Sequence, residues 1–287
     1  MYKRQPSSSI ASAPTDPDAP ASLPDPLTLN QDLYFEGLQI TLKQATASPT
    51  VGEAGMVTVG IDVVIENIGL GGAQSSWGGT IEIDGIATQS WGGGSAPKPG
   101  EKTKATLTFD VELDGELDWD DVVLLWGPAG KNRPEIPFDT SIRPVTGAPQ
   151  TTPIAASIVT TIYDGTSVEK VTLTGATVSP SDIATNHQAA EHKTFVRIDV
   201  TGSETTGSPG NDTRWSLRIP DGSVVPLFHA VNQEPNTSLD FPRPPSTIDQ
   251  YLVFEVPEAS GGRYALLRER AGTPGEAAFE LPPPTSP

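Results

Sequence analysis

Apolar and polar residues alternate in short runs along most of the chain. In one such run, Val57, Val59 and Ile61 are separated by Thr58 and Gly60. A period of two is that of a β-strand with one buried face, whereas an amphipathic helix repeats about every 3.6 residues. Glycine and proline, with 28 and 29 copies, separate the runs. Short strands with turn residues at regular intervals predict an all-β fold of the sandwich or barrel type.

The chain contains an internal repeat. ITLKQATASP at 40–49 corresponds to VTLTGATVSP at 171–180. Further corresponding blocks follow in the same order: 57–65 and 196–200, 77–85 and 215–222, 108–111 and 253–256, 124–125 and 266–267, and 136–138 and 279–281. Because every block has a period of two, the repeat predicts two similar β-domains in tandem.

Composition places the boundaries between these domains. The predicted order is a disordered stalk or tail at 1–30, a first β-sandwich at 31–139, a proline-rich linker at 140–157, a second β-sandwich at 158–282, and a disordered tail at 283–287. The first segment is rich in Ser, Ala, Pro and Asp and cannot bury enough apolar surface to fold. Residues 182–193 are the one stretch of the second domain for which the sequence predicts a helical turn.

Charge and cysteine content exclude several function classes. With 36 acidic and 18 basic residues, the formal net charge is −18. A field of that sign repels nucleic acid and anionic lipid, so neither is an expected partner. The chain has no cysteine, which excludes disulfides, thiolate nucleophiles and cysteine-based metal sites. It also has no run of about 20 apolar residues, so it is not expected to be embedded in a membrane.

The N-terminus bears on where the protein works. Met1 is followed directly by polar and proline-rich sequence, without the apolar segment of a signal peptide. The hypothesis is that a signal peptide or an anchor lies upstream of this sequence and tethers the protein through a stalk. An ordinary disordered tail is the alternative.

The second predicted domain resembles a known family. Its features are the strand beginning FVRIDV at Phe195, the Trp215 strand that ends in Asp221-Gly222, and the run LVFEVP at 252–257 before Tyr264. This order is similar to the telokin-like, immunoprotective-extracellular-protein group of Ig-like domains found in bacterial secreted proteins and lipoproteins. The resemblance spans about 158–281 and, more weakly, 32–138. It implies two extracytoplasmic Ig-like β-sandwiches without enzymatic activity.

Two of the five tryptophans are candidates for ligand binding. Trp77 and Trp215 occupy corresponding positions of the repeat, which is typical of core residues in a sandwich. Trp91 and Trp119 are expected to be exposed, and exposed tryptophan can stack on sugar rings. The alternative is that they pack within the domain or contact a partner protein.

An acidic run in the first domain is a candidate calcium site. Asp114, Glu116, Asp118 and Asp120 lie close together beside the turn residue Gly115, and calcium prefers several carboxylate oxygens from one loop. The run lacks EF-hand spacing and has no counterpart in the second domain. The alternative is a solvated edge with no bound ion.

The sequence contains no recognisable catalytic constellation. A zinc site formed by His187, His192 and Glu191 would need side chains on one face, but a spacing of five places the two histidines on different faces of a helix. Surface histidines are the better interpretation. No serine lies in a Gly-x-Ser-x-Gly elbow, and no glycine pair has the context of a phosphate loop. We therefore expect no enzymatic activity.

The function that the sequence favours is binding or structural. The main hypothesis is a non-enzymatic extracytoplasmic protein that acts in adhesion, recognition or envelope organisation, with a protein or a glycan as its partner. One alternative is a carbohydrate-binding accessory module of a larger secreted enzyme. Another is a calcium-stabilised spacer. Only the analogy of fold supports the main hypothesis at this point.

The calcium hypothesis has a direct test. A ligand that binds only the folded state raises the melting temperature. If the acidic run binds calcium, millimolar calcium raises the melting temperature relative to EDTA, and Asp118→Asn combined with Asp120→Asn abolishes the shift. A melting curve that calcium leaves unchanged would show that the acidic run does not bind calcium.

Overall fold

The fold is all-β. A computed structural model describes residues 23–51, 53, 55–69, 78–90, 94–113, 115–162, 167–204, 213–232, 246–258, 261–270 and 272–283. These residues form 19 strands and one short 3-10 helix, with no α-helix among them. Within the described chain, no helix is long and apolar enough to span a membrane.

The first half of the molecule comprises β1 to β8. Its elements are β1 (Leu27–Phe35), β2 (Leu38–Pro49), β3 (Met56–Asn67), β4 (Gly79–Ile83), β5 (Ile86–Gln89), β6 (Lys102–Glu112), the 3-10 helix η1 (Trp119–Asp121), β7 (Val122–Trp126) and β8 (Glu135–Pro137). They form two antiparallel four-stranded sheets, with strand orders β1-β2-β3-β6 and β5-β4-β7-β8.

The second half comprises β9 to β19. Its strands are β9 (Gln150–Ile162), β10 (Ser167–Ser179), β11 (Ser181–Asp182), β12 (His187–Gln188), β13 (Lys193–Glu204), β14 (Thr213–Arg218), β15 (Val224–Pro226), β16 (His229–Asn232), β17 (Ser246–Pro257), β18 (Gly262–Arg270) and β19 (Thr273–Leu281). They form a five-stranded sheet β16-β17-β13-β10-β9, a four-stranded sheet β15-β14-β18-β19, and a two-stranded ribbon β11-β12.

The two halves share their strand order. The order β1-β2-β3-β6 matches β9-β10-β13-β17, and β5-β4-β7-β8 matches β15-β14-β18-β19. The register of the two halves also breaks at the same point of the repeat. A β-bulge leaves Lys43 unpaired between β2 and β3, and another leaves Thr174 unpaired between β10 and β13. Lys43 and Thr174 are the fourth residues of the two corresponding ten-residue blocks.

Each half has its own apolar core, to which both of its larger sheets contribute. In the first half, Ile61 and Phe109 from one sheet join Trp126 from the other, all fully buried. In the second half, Phe254 from the five-stranded sheet joins Leu266 from the four-stranded sheet. Alternating residues of strands such as β3 and β6 therefore bury one face of their sheet, as the period of two predicts.

The five-stranded sheet also buries part of its opposite face. Phe195 on β13 and Tyr251 and Val253 on β17 form a second, smaller cluster with Ala189. Residues 181–192, which include the ribbon β11-β12, supply Ala189 to that cluster. This layer has no equivalent in the sequence repeat.

Two predicted boundaries and one predicted element differ from the structure. β1 begins at Leu27, inside the segment predicted to be disordered, because Leu29 and Leu33 are buried and the strand pairs with β2. β9 begins at Gln150, inside the predicted linker, because its residues pair with β10. Residues 182–193 form the ribbon and the start of β13 instead of a helical turn, since their polar groups bond to other parts of the chain.

The core of the second half provides a prediction. Phe254→Ala removes a fully buried ring and should lower the free energy of unfolding by about 3–5 kcal/mol, because it loses transfer free energy and leaves a cavity. Val159→Ala, on the same sheet but 60% exposed, is the matched control and should change stability by less than about 0.5 kcal/mol. Urea unfolding measures both. Equal effects of the two variants would contradict the assignment of Phe254 to the core.

Candidate functional site

The junction between the two halves is the candidate functional site. It is built on the segment Ser181–Lys193, which enters as β11, turns at 183–186 and returns as β12. β11 and β12 pair through Ser181 with Gln188 and Asp182 with His187. The amide of Ala189 donates to the carbonyl of Pro180 at 2.8 Å and closes the base of the ribbon.

The β1–β2 turn of the first half docks on this ribbon. Glu36 and Gly37 both have positive φ, 47° and 76°, as a two-residue hairpin turn requires. The Glu36 amide donates to Gln188 Oε1 at 3.1 Å, and the Gly37 amide donates to Ser181 Oγ at 3.0 Å. The ribbon thus satisfies backbone donors at the tip of a hairpin that belongs to the other half.

A second turn of the first half pairs with the end of the ribbon. The Asn132 amide donates to the Ala189 carbonyl at 2.9 Å, and the Glu191 amide donates to the Gly130 carbonyl at 3.0 Å. Lys131 and Ala190 form an antiparallel bridge between these two bonds. The two halves are therefore joined by backbone pairing as well as by the covalent chain.

Close packing at the junction requires glycine at two positions. The Asn186 side chain lies against Gly37 and Gly69, and a Cβ atom at either glycine would overlap Asn186 Oδ1. Asn186 is 3% exposed and adopts a left-handed conformation with φ 56°, which Asn tolerates better than most residues. Asn186 therefore packs the turn of the ribbon closely against the first half.

Asp182 is the buried charge of the site. Its side chain is 3% exposed, and His229 Nε2 on β16 lies 2.8 Å from Asp182 Oδ2. Thr185 Oγ1 also donates to Oδ2, and the Ala184 amide donates to Oδ1 at 3.3 Å. Burial alone would raise the pKa of Asp182, but the contacts with His229, Thr185 and Ala184 outweigh it, so the net pKa is lowered. Asp182 is therefore ionised at neutral pH.

A group of aromatic rings lies around Phe228, next to His229 in the chain. The Phe228 ring lies 5.2 Å from the ring of Phe195, 5.8 Å from that of His187 and 5.1 Å from that of His229, measured between centroids. Phe228 is 45% exposed. Together with His187, which is also exposed, it forms the solvent-facing part of the site.

Tyr251 lies beneath the ribbon. Its ring is 5.0 Å from the guanidinium carbon of Arg197, and the Arg197 Nε atom lies 3.1 Å from Asp199 Oδ1. The Tyr251 hydroxyl is buried and has no hydrogen-bond partner among the residues that the structure describes. Burial, followed by the charge of Asp182, raises the pKa of Tyr251 to about 12 although Arg197 acts in the opposite direction. The phenol is therefore neutral throughout the physiological range.

Two glutamates at the edge of the junction are perturbed in opposite directions. Burial raises the pKa of Glu36, although the charges of Lys131 and His187 partly offset it. Burial also acts to raise the pKa of Glu255, but hydrogen bonds from Ala190 and Lys193 outweigh it and lower the net pKa. Glu255 ties the ribbon to β17, since the Ala190 amide donates to its Oε1 at 3.1 Å.

The contacts of this arrangement hold the ribbon in a fixed position. Asp182 contacts three partners, which are His229, Thr185 and Ala184. Within the described residues, no group of three or more His, Asp or Glu side chains could hold a metal ion. The site orients the ribbon, and through it the first half, relative to the five-stranded sheet.

The prediction that Trp119 is exposed is wrong. Its side chain belongs to the first core and is 7% exposed. Trp119 Nε1 donates to the Asp25 carbonyl at 2.8 Å, and its ring centroid lies 5.9 Å from that of Phe138. The 3-10 helix η1 turns this residue inward, which an alternating-strand pattern could not show. Trp77 and Trp91 lie outside the described residues, whereas Trp126 is fully buried and Trp215 is partly buried against the second core.

The acidic run is spread over an exposed surface. Asp114 lies outside the described residues, and Glu116, Asp118 and Asp120 are exposed. The Asp118 carboxylate accepts from the Asp120 amide at 3.1 Å and caps η1. This gives Asp118 a structural task, and calcium binding by the run stays a prediction.

Sequence reasoning missed the pair formed by Asp182 and His229. These residues are 47 positions apart in the chain (229 − 182), and only the sheet brings β16 next to the ribbon. A signal did exist, because the segment after the repeated Ser-Pro is longer in the second half, 181–192 against 50–55. An insertion in one copy of an internal repeat marks a segment that the other copy lacks.

Comparisons with known proteins place little constraint on the function. No protein-family model matches the chain, and no curated protein matches it. Among solved structures, the chain is similar to one titled the crystal structure of the conserved domain protein from Bacillus anthracis, at 12% sequence identity and a TM-score of 0.25. The match covers 86% of this chain and 80% of that chain. At that TM-score, the likeness carries no argument.

The junction predicts unequal costs for two similar glycines. Gly37 and Gly85 both have positive φ at hairpin turns, 76° and 78°, but only Gly37 faces Asn186, whereas Gly85 has open space around it. Gly85→Ala should cost about 1–2 kcal/mol for the left-handed backbone alone. Gly37→Ala should cost clearly more, because it also displaces Asn186, and urea unfolding measures the difference.

Asn186→Gly provides the control for that comparison. The substitution keeps the positive φ acceptable and removes the obstructing side chain. In an Asn186→Gly background, Gly37→Ala should cost no more than Gly85→Ala. An unchanged excess cost would contradict the packing of Asn186 against Gly37.

Tyr251 predicts a specific pH dependence. Its folded pKa of about 12 exceeds the ordinary tyrosine value of about 10. The stability that follows from this difference is fully present below pH of about 10 and is lost as the pH rises through the folded value. Tyr251→Phe should therefore remove one tyrosine that ionises near pH 12 in an absorbance titration, and should make stability fall less steeply above pH of about 10.

The same variant tests the unpaired hydroxyl. Because a buried hydroxyl without a partner is costly, Tyr251→Phe should leave the free energy of unfolding at neutral pH unchanged or increase it by up to about 1 kcal/mol. A loss of more than about 1 kcal/mol would show that the hydroxyl has a favourable partner in solution.

Proposed function

We propose that the chain is a non-enzymatic extracytoplasmic protein built from two tandem Ig-like β-sandwich domains. The observation that carries the proposal is the shared strand order of the two halves, with a β-bulge at the same residue of the repeat. The strands of each half can be lettered in the Ig manner if one extra strand is placed before A. One sheet then contains strands in the order A-B-E, and the other has the order C′-C-F-G. The resemblance of residues 158–281 to telokin-like domains supports the same assignment.

The proposed role is binding or spacing at the cell surface, in adhesion, recognition or envelope organisation. The high negative charge suits an exported protein that stays soluble and repels nucleic acid. The polar cluster at the junction has its charged groups paired internally, which supports a structural role for it. The partner that we propose is a protein or a glycan, bound by loops and strand edges away from the junction.

The junction supports a fixed relation between the two domains. Inter-domain interfaces within a chain normally permit relative motion unless they are large and hydrophobic, so a fixed relation at this junction has to rest on directional hydrogen bonds. Here four backbone amides or carbonyls of the first half, at Glu36, Gly37, Gly130 and Asn132, bond to the ribbon of the second. A rigid pair of domains suits a protein that holds a binding surface at a set distance and angle from the cell.

The carbohydrate-binding alternative rested on two exposed tryptophans, and one of them is not exposed. Trp119 is buried and cannot offer a face to a sugar. No other observation in the described part of the chain favours that function over a protein contact.

Two experiments test the proposal. In cells that express the natural gene, the protein should be accessible to added protease and to antibody without lysis. A protein that is found in the cytosol and is protected in intact cells would overturn the extracytoplasmic assignment. Separately, the purified chain should bind at least one member of an array of surface glycans and extracellular proteins, and a chain that binds none of them would favour a spacer.

A further inference from the structure

We propose that the edge strand β9 pairs with β9 of a second copy of this chain, so that two copies form an antiparallel dimer across a two-fold axis. The contact uses residues 156–161, which we call the open edge. It joins the five-stranded sheets of the two copies into one continuous sheet. The proposal does not rest on the proposed function.

The open edge has backbone groups to offer. β9 is the outermost strand of its sheet and has 13 residues, and β10 is its paired neighbour. Within the described chain, no backbone hydrogen bond joins residues 156–161 to any segment other than β10. The outer side of such a strand presents a row of N–H and C=O groups, which is a template for another strand.

The other edge strands that the structure describes are protected against such pairing. Natural edges are protected by short length, charged side chains, proline or a covering segment. β5, β8, β15 and β16 have only three or four residues each, and β11 and β12 have two. β6 carries four charged side chains, and β19 carries two glutamates and a proline. β1 carries Asp32, and its Tyr34 amide donates to the Thr146 carbonyl at 2.8 Å.

β9 has none of these protections along the open edge. Although it is the longest of the described edge strands, its sequence QTTPIAASIVTTI contains no charged residue. Its single proline, Pro153, lies before the open edge, where the register with β10 shifts. An edge strand that is long, uncharged and free of proline is the kind that pairs with another chain.

The side chains of the open edge suit pairing with a copy of the same strand. Ile158 and Thr160 face the interior and are buried, whereas Ser157, Val159 and Thr161 are exposed on the opposite face. Pairing places the exposed side chains of two copies side by side, where contacts between β-branched residues stabilise a sheet. A two-fold contact is complementary to itself, because the same strand supplies both of its sides.

The charge of the chain favours a second copy as the occupant. With a net charge of −18, two copies repel each other wherever acidic surfaces meet, and an uncharged strand is where they approach at the lowest electrostatic cost. A different, charged partner gains nothing from the open edge, because electrostatic selection requires charges on both sides of a contact. A copy of β9 matches the open edge in both length and polarity.

The first test is analytical ultracentrifugation of the full chain. The chain should sediment as a monomer–dimer equilibrium. The dimer should be tighter at about 1 M than at about 0.1 M salt, because salt screens the repulsion between the two acidic copies. A dimer held by ion pairs would respond in the opposite direction and would overturn the proposal. A chain that stays monomeric at millimolar concentration would also overturn it, and would leave the open edge to a strand of another protein.

Lysines on the open edge test the location of the contact. Ser157→Lys combined with Thr161→Lys should weaken the dimer at least about tenfold, because it brings like charges together across the pairing, although it makes the net charge less negative. Ala87→Lys combined with Val224→Lys is the matched control, since it adds the same charge at exposed positions of the short edge strands β5 and β15. The control should not weaken the dimer, and the melting temperatures of both variants show whether the fold is retained.

Crosslinking tests the antiparallel arrangement directly. The chain has no cysteine, so Thr151→Cys, Ser157→Cys, Val159→Cys and Thr161→Cys each carry a single thiol. With a short bismaleimide, the yield of linked dimer should be highest within the open edge and should fall towards Thr151. The reason is that the distance between equivalent residues grows by about 7 Å for each residue away from the two-fold axis.

Val224→Cys, on β15, is the control for crosslinking and should give little linked dimer. The proposal is overturned if Val224→Cys links as well as the best position of β9, or if the yield is the same at all four positions of β9. It is also overturned if the two lysines on the open edge leave the dimer intact.

Discussion

The five-stranded sheet of the second half carries apolar side chains on both of its faces, and the rest of the junction depends on that constraint. Val196, Ile198 and Phe254 face the main core, while Phe195 and Val253 face away from it and are nevertheless buried. A sheet with two apolar faces must be covered on both. The four-stranded sheet covers one face, and the ribbon segment covers the part of the other face formed by Phe195, Tyr251 and Val253.

The ribbon that covers this face also creates the polar site. A short ribbon has few apolar residues to contribute, and its backbone needs partners wherever it is buried. Asp182, Thr185 and Ser181 supply polar groups that face inward, and β16 and the first half provide the partners. The buried carboxylate is tolerated because the Thr185 hydroxyl and the Ala184 amide donate to it and the His229 ring lies 2.8 Å away. The junction and the cover of this sheet face both depend on one insertion into a repeated fold.

Part of this was readable from the sequence. The block at 251–254, Tyr-Leu-Val-Phe, is an unbroken apolar run, whereas its counterpart at 106–109, Thr-Leu-Thr-Phe, alternates. A continuous run indicates a strand buried on both sides, so the difference between the two copies already pointed to an extra layer. The identity of that layer could not be read in the same way, because residues 182–193 have no strand period and the sequence predicts a helical turn there instead of a ribbon.

The sequence by itself determined the all-β class, the repeat and the buried side of alternating strands such as β3 and β6, because these depend on local periodicity and turn residues. Only the tertiary structure decided that Trp119 turns inward, that β1 and β9 extend the sheets, and that Asp182 meets His229. Those outcomes depend on contacts between residues far apart in the chain. Local pattern carries no information about which distant strand or turn will supply a partner, since that choice is made by how the layers pack.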